Sequence, residues 1–198
     1  MNTVEVIFKN ISEIAGVDDI GLLILTDMAG EQQIAVPCDK KQLDGFRLRL
    51  SQNPVAKSML PEVLWQATRW FLGRPMEVVI TGINEGQYEA LLIAPDLGMQ
   101  LPILAPEGIM LTLVSKGNVP VKVEEHLFRR QSTHYSKDSA ALSLPINTIT
   151  DKMLDAALQK AVQNENYEMA GYLRDEMKRR DELRKKEKDS TILDHEGD

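Results

Sequence analysis

The stretch "MEVVITGINEGQYEALLIA", from Met76 to Ala94, contains two apolar runs on either side of the short polar sequence Asn84-Glu85-Gly86. Both runs are rich in β-branched and aliphatic residues, and a polar turn with glycine between two such runs is typical of a β-hairpin. The sequence therefore predicts two antiparallel strands joined by a tight turn near the middle of the chain.

Upstream of this hairpin, short aliphatic runs separated by turn residues predict three strands, and longer apolar spacing then predicts two helices. The strands are "VEVIF", "GLLILT" and "QQIAVP", and the helices cover residues 40–50 and 61–72. Pro61 suits the first turn of the second helix and Gly73 its end. The apolar residues of this helix that fall at helical intervals are Val63, Leu64, Ala67, Trp70 and Phe71.

Downstream of the hairpin, "MQLPIL" predicts a strand, Pro106 to Gly117 a helix opened by proline and closed by glycine, and "VPVKVEE" a last strand. The resulting order is β-β-β-α-α-β-β-β-α-β. Hairpins mixed with helices favour an α+β fold, in which helices cover one face of a largely antiparallel or mixed sheet.

The last quarter of the chain carries two apolar stripes at helical spacing, separated by the polar break "QNEN". The first stripe consists of Leu154, Ala157, Leu158 and Ala161, and the second of Tyr167, Ala170, Leu173 and Met177. A cap at Thr148 or Thr150 would begin the first helix. Two short helices with one apolar face each predict an antiparallel hairpin, which needs something to pack against because it buries little area alone.

Composition restricts the classes of protein to consider. The chain has 198 residues, of which 43% are hydrophobic and 27% charged, and its net charge is −7. This fits one globular domain with an appendage and excludes a general positive field for nucleic acid. The single cysteine, Cys38, predicts a reducing compartment and a structural thiol. With no apolar run long enough for a signal peptide or a membrane span, we expect a cytoplasmic protein.

The C-terminal sequence "LDAALQKAVQNENYEMAGYLRDEMKRR" resembles the UVR motif, the helical hairpin named after the excision-repair proteins UvrB and UvrC. The motif residues kept here are Glu165, Tyr167, Glu168, Ala170, Leu173, Arg174, Asp175 and Glu176. The resemblance implies that this hairpin pairs with another such hairpin or with a partner protein, as in the repair proteins and in Clp-type chaperone regulators. A generic charged coiled coil is the alternative. We take as partner-binding residues Tyr167, Glu168, Ala170, Leu173, Arg174, Asp175 and Met177.

The preceding part of the chain resembles the bifunctional nuclease family, small α+β proteins with DNase and RNase activity that are sometimes fused to a UVR motif. The order of elements matches over about 125 residues. The family's Val-x-Ile and Asp-Gly-x-Phe-Tyr-Ala hairpin corresponds to "MEVVITGINEGQYEALLIA", and its Arg-Pro-Ser-Asp helix to "LAPEGIMLTLV". Tyr88, Ala90, Pro106 and Pro120 are retained. The resemblance implies a nuclease-like protein of DNA metabolism.

The family's presumed reactive groups are largely replaced in this chain. Leu60-Pro61-Glu62 stands in place of Thr-His-Asp, and Ala105 and Gly108 stand in place of the Arg and Asp of Arg-Pro-Ser-Asp. Phosphodiester hydrolysis needs groups that neutralise developing charge and activate water. Glu62 and Glu107 are the acidic residues left at these positions and are therefore our catalytic candidates. No histidine has metal-ligand spacing to another His or Cys, so we predict no metal site, and the sequence names no cofactor.

Two basic clusters could contact the phosphates of a nucleic acid. The first comprises Arg47, Arg49 and Lys57, with Lys40 and Lys41 upstream. The second is "KRRDELRKKEK", whose alternating charges favour a solvated helix face.

These patterns divide the chain into a nuclease-like domain (1–128), a polar linker (129–147), the UVR-type hairpin (148–184) and a charged tail (185–198). The apolar helix 61–72 predicts a homo-oligomer. Two functions stay open: a nuclease-like protein of DNA metabolism or repair, and a non-catalytic adaptor that docks on a repair or Clp-type chaperone protein.

Overall fold

The computed structural model describes residues 2–14, 17–135 and 148–193. The strands in this part of the chain are β1 (Thr3–Ile14), β2 (Val17–Asp27), β3 (Gln32–Asp39), β4 (Glu77–Asn84), β5 (Gln87–Ala94), β6 (Met99–Leu104), β7 (Val121–Glu124) and β8 (Thr133–His134). The helices are α1 (Lys40–Leu50), α2 (Leu60–Leu72), α3 (Ala105–Val114), α4 (Glu125–Gln131), α5 (Asp151–Gln163) and α6 (Tyr167–Leu193).

The strands form one sheet in the order β6-β5-β4-β7-β1-β2-β3-β8. Every neighbouring pair is antiparallel except β4 and β7, which are parallel. The predicted hairpin is β4 and β5, with Asn84 opposite Gln87. Glu85 and Gly86 between them have φ angles of 46° and 75°, as tight hairpin turns require. The predicted α+β fold with a largely antiparallel sheet is confirmed, together with the order of its first ten elements.

One face of the sheet carries α1, α2 and α3. Leu23 and Leu25 of β2 are buried with Leu43 and Phe46 of α1 and with Ile109 of α3. Alternate residues of a strand point to opposite faces, so the odd-numbered residues of β2 form this part of the core. The predicted helical face is confirmed for these helices.

The opposite face of β2 holds the even-numbered residues Ile20, Leu22 and Ile24, all of which are buried. Ile20 belongs to one buried cluster with Leu154 of α5 and Leu173 of α6. The C-terminal hairpin therefore covers one end of the sheet on the face opposite α1 and α3, rather than standing apart from the first domain.

Helical and strand residues extend into the predicted linker and tail. Residues 129–131 complete α4 and residues 133–134 form β8, although the linker was expected to begin at 129. Short α4 is stabilised by burial of Leu127 and Phe128 in the main core. α6 continues to Leu193, past the expected hairpin end at 184. The remaining linker residues 136–147 and the tail residues 194–198 lie outside the described residues.

Helix ends and exposed faces also differ in places from the prediction. α3 ends at Val114, three residues before the expected glycine stop at Gly117. In α2, Trp65 packs against the core, while Val63 and Leu64 are exposed. The side chains of Trp70 and Phe71 lie outside those described. No helix within the described ranges is both long and apolar enough to cross a membrane.

Candidate functional site

The hairpin of α5 and α6 has an inner face that is used within the chain. Leu154, Ala157 and Ala161 of α5 face Ala170 and Leu173 of α6, and all of them are buried. The hydroxyl of Thr150 accepts a hydrogen bond from the backbone N–H of Met153 at 3.3 Å, which confirms Thr150 as the cap of α5. Spacing of three and four residues aligns these side chains on one side of each helix.

Of the seven predicted partner-binding residues, three belong to this inner face. Ala170 and Leu173 are buried against α5 and Ile20, with Leu173 only 1% exposed. Met177 is partly buried in the same cluster. These three residues hold the hairpin to its own chain.

The other four predicted residues face solvent, and Tyr172 joins them. Tyr167 is 69% exposed and Tyr172 is 61% exposed. Glu168 is exposed, as are Arg174 and Asp175, whose Nε and Oδ1 are 3.9 Å apart. Tyr167 therefore does not belong to the buried stripe in which the sequence pattern placed it. We call Tyr167, Glu168, Tyr172, Arg174 and Asp175 the outer surface of the hairpin.

Gly86, in the turn between β4 and β5, touches the hairpin directly. A Cβ atom there would collide with the carbonyl oxygen of Ile149 and would lie 2.7 Å from Nη1 of Arg180. The φ angle of 75° also favours glycine at this position. The turn can approach α5 and α6 this closely only because Gly86 has no side chain.

Arg180 is the centre of an ion cluster beside this turn. Its Nη1 lies 2.8 Å from Oδ1 of Asp151 and its Nε lies 2.9 Å from Oε1 of Glu176. Arg184 also pairs with Asp151, and Arg179 pairs with Glu176. The cluster joins the start of α5 to the middle of α6.

The cluster changes the acidity of both carboxyl groups. For Glu176, the hydrogen bonds from Arg179 lower the pKa, and those from Arg180 add to this against the opposing effect of burial. For Asp151, burial acts to raise the pKa, but the combined bonds from Arg184 and Arg180 outweigh it and the pKa is lowered. Both carboxylates are thus stabilised in their charged form.

The first catalytic candidate, Glu62, is bound to a residue that the sequence suggested for nucleic-acid contact. Nε of Arg49 lies 2.7 Å from Oε1 of Glu62, and Nη2 of Arg49 donates to Oε2 at 2.8 Å. Nη1 of Arg49 donates to the carbonyl oxygen of Gly45 at 2.9 Å. Because both charges are engaged with each other, the geometry makes this pair a link between α1 and α2.

The second catalytic candidate, Glu107, lies in the first turn of α3 and is exposed. Its Oε1 accepts a hydrogen bond from Nε2 of Gln42 at 3.1 Å. Glu62 and Glu107 thus have different partners, near opposite ends of α1. Among the described residues, no group of three or more His, Cys, Asp or Glu side chains could hold a metal ion.

The remaining members of the first basic cluster are at the surface. Nη1 of Arg47 lies 3.0 Å from Oδ1 of Asp44, and both side chains are largely exposed. Lys57 is exposed beside a cavity that Arg49 and Glu62 also line. Lys40 and Lys41 begin α1 and lie at a different cavity, next to the hairpin.

Cys38 is buried in the main core. Burial, followed by the charge of Asp39, raises the pKa of its thiol to about 12. The thiol therefore stays protonated at neutral pH, which suits a structural residue.

Sequence reasoning missed three residues that organise this region: Gly86, Tyr172 and Arg180. The first was read only as part of a turn, and the third only as one cation in a mixed run. Tyr172 carried a usable signal, since it lies one residue before the buried Leu173 and so turns away from the inner face. Comparison of the chain with models of known protein families and with curated proteins finds no match in either case.

Proposed function

We propose that this chain is a non-catalytic adaptor that binds a second protein through the outer surface of its C-terminal hairpin. By the resemblance of its sequence to the UVR motif, the partner is a DNA-repair protein or a Clp-type chaperone that presents a similar hairpin. Its single cysteine is consistent with a cytoplasmic setting.

The main support for this proposal is the exposure of two tyrosines on the outer surface. Tyr167 and Tyr172 expose 69% and 61% of their surface, although the inner face of the same helix is fully used. Tyrosine and arginine are common among the residues that dominate binding energy at protein interfaces, and Arg174 lies on the same surface. Glu168 and Asp175 add charges that could select a complementary partner.

Gly171 supports the close approach of another helix to this surface. A Cβ atom at Gly171 would meet no atom within 4 Å. Helices that pack closely need small residues at the point of contact. The glycine lowers the intrinsic stability of α6, so a binding role would explain its presence.

The test uses Gly171→Leu in the full chain. Leucine should stabilise α6 by about 1 kcal/mol, because glycine is a poor helix former and the new Cβ atom displaces no neighbouring atom. The same side chain should block a partner helix. We expect purified UvrB, UvrC or a Clp-type ATPase to bind the wild type in calorimetric titration, and Gly171→Leu to bind at least ~10 times more weakly.

A second pair of variants controls for general loss of exposed apolar surface. Tyr172→Ala should weaken binding. Met28→Ala should not, because Met28 follows the last residue of β2, at the end of that strand far from the hairpin, although it is 64% exposed. Absence of binding to all three proteins, or binding that survives Gly171→Leu, would contradict the adaptor proposal.

A nuclease-like function in DNA metabolism is the second candidate, and the observation that favours it is the exposed position of Glu107 in the first turn of α3. The pairing of Glu62 with Arg49 argues against it, because a carboxylate held by a guanidinium is a poor base for activating water. We expect no cleavage of duplex DNA or RNA with added Mg²⁺ or Mn²⁺. Cleavage that disappears in Glu107→Gln would favour the nuclease instead.

A further inference from the structure

A cavity of about 450 Å³ lies between the start of α1, the start of β5 and the hairpin. Its walls combine the first domain with the hairpin, which contributes Thr148, Thr150, Lys152, Met153 and Ala156. The volume is within the range of pockets that bind small molecules, about 300 to 1,000 Å³.

The floor of this cavity is mostly apolar. The apolar lining residues are Ile20, Pro37, Leu104, Pro106, Met153 and Ala156. Tyr88 also forms part of the wall, and its hydroxyl is buried with no hydrogen-bond partner among the described residues. Burial raises the pKa of this hydroxyl, which keeps it a neutral donor. The enclosed hydroxyl offers no contact to a molecule in the cavity, so the lining here is apolar in character.

The rim of the cavity is positive. Lys40, Lys41 and Lys152 all line it and all are exposed. Asp39 is the acidic residue among the lining side chains, and its carboxylate already accepts the backbone N–H of Gln42 at 2.8 Å. The residues that line the cavity therefore include three cations and one carboxylate, and that carboxylate caps α1.

The backbone adds to this positive character. Residues 40–42 are the first turn of α1, Lys152 is in the first turn of α5, and Pro106 is in the first turn of α3. A helix N-terminus carries a partial positive charge and N–H groups without partners inside the helix. Three helices begin at this cavity, beside the three lysines, and Asp151 and Glu107 in the first turns of α5 and α3 offset part of this positive charge.

We propose that the cavity binds a small organic anion, which places an apolar body on the floor and a carboxylate, phosphate or sulfonate group at the lysine rim. The ligand would contact both the first domain and the hairpin. This site lies apart from the outer surface of α6 and does not depend on the adaptor function.

The test compares two fluorescent probes that share a ring system and differ in charge: 8-anilinonaphthalene-1-sulfonate and the neutral N-phenyl-1-naphthylamine. We expect the sulfonate to bind the full chain at one molecule per chain, at least ~10 times more tightly than the neutral probe. A tenfold ratio corresponds to about 1.4 kcal/mol, which we assign to the charged contacts at the lysine rim.

Charge reversal identifies the site. The double variant Lys40→Glu, Lys152→Glu should lose the preference for the sulfonate and leave the affinity of the neutral probe unchanged. Lys178→Glu is the matched control, because it reverses an exposed lysine of α6 that lines no described cavity. Ala156→Phe should weaken the binding of both probes, because the phenyl ring would occupy part of the cavity.

Equal affinity of the two probes for the wild type would overturn the proposal, as would sulfonate binding that the double charge reversal leaves unchanged. Circular dichroism establishes that each variant is folded. If Ala156→Phe does not fold, the charge-reversal variants decide alone, since the lysines are at the surface.

Discussion

Arg49 and Glu62 form an ion pair that joins α1 to the first turn of α2, with 2.7 Å between Nε and Oε1. Their side chains are only 7% and 15% exposed. Removing one partner of a largely buried pair leaves the other charge without compensation, which costs more than the pair contributes as a whole. We therefore expect Glu62, which the sequence suggested as a catalytic carboxylate, to contribute to the stability of the fold.

We expect Glu62→Gln to lower the free energy of unfolding by about 3 kcal/mol in urea denaturation, because Arg49 keeps its charge in a poorly solvated position. Asp44→Asn is the control. It breaks the exposed pair with Arg47 and should cost less than about 1 kcal/mol. Equal effects of the two substitutions would contradict a structural role for the Arg49 and Glu62 pair.

Leu173→Ala should destabilise the whole chain and not only the hairpin, since Leu173 lies in one buried cluster with Ile20 of β2. We expect a loss of about 2 to 5 kcal/mol, typical of truncating a buried leucine. In a double-mutant cycle with Ile20→Ala, the two effects should be non-additive by at least ~0.5 kcal/mol. Strict additivity, or an unchanged melting of the first domain, would show that the hairpin folds independently.

Gly86→Ala should separate the hairpin from the β4–β5 turn, because the added Cβ meets the carbonyl oxygen of Ile149. The measurement is the rate of limited proteolysis within α5 and α6, which should rise at least ~10-fold. Gly98→Ala is the matched control: Gly98 has a similar φ of 61°, but no atom lies within 4 Å of its Cβ position. The Gly98→Ala variant has the same kind of backbone strain, roughly 1 to 2 kcal/mol, but its added Cβ atom collides with no other atom. Similar proteolysis of the two variants would refute the contact.

The ion cluster around Arg180 predicts a loss of stability in acid. The folded-state pKa values of Asp151 and Glu176 are lowered. The two carboxylates therefore contribute fully to the free energy of unfolding above the ordinary carboxyl pKa of about 4. This contribution is lost as the pH falls through the lowered pKa values. Asp151→Asn should be less stable than the wild type at pH 7, and the difference should shrink in acid. Denaturation curves from pH 7 to 2 measure this. Glu168→Gln removes an exposed carboxylate of the same helix and should not reproduce the effect.

The exposed face of α2 predicts self-association. Leu60, Val63 and Leu64 are each about half exposed or more, next to the exposed Met59. An apolar patch of this kind is rare on a monomer. We expect the full chain to sediment as a dimer or larger species, and the double variant Val63→Glu, Leu64→Glu to sediment as a monomer. Val55→Glu, at another exposed position in the segment before α2, is the control. Sedimentation of the wild type as a monomer at high concentration would contradict this prediction.

Local patterns were sufficient to predict most of the first domain. The short aliphatic runs of β2 and β3, the turn at Glu85 and Gly86, and the helical spacing in α1 and α5 each depend on residues close together in the chain. Where stability comes from distant contacts, prediction failed. α4 was missed because only burial of Leu127 and Phe128 makes so short a helix stable, and β8 because Thr133 pairs with Gln33, 100 residues away.

The sequence by itself determined the α+β order of elements and most of the two apolar stripes of the hairpin, because residue spacing within one element indicates a strand or a helix and its apolar side. Only the tertiary structure decided what each face touches. Leu173 is buried in one cluster with Ile20 of its own chain, Tyr167 faces solvent, and Glu62 is paired with Arg49. Such contacts depend on how separate elements pack, and periodicity within one element contains no information about its neighbour in space.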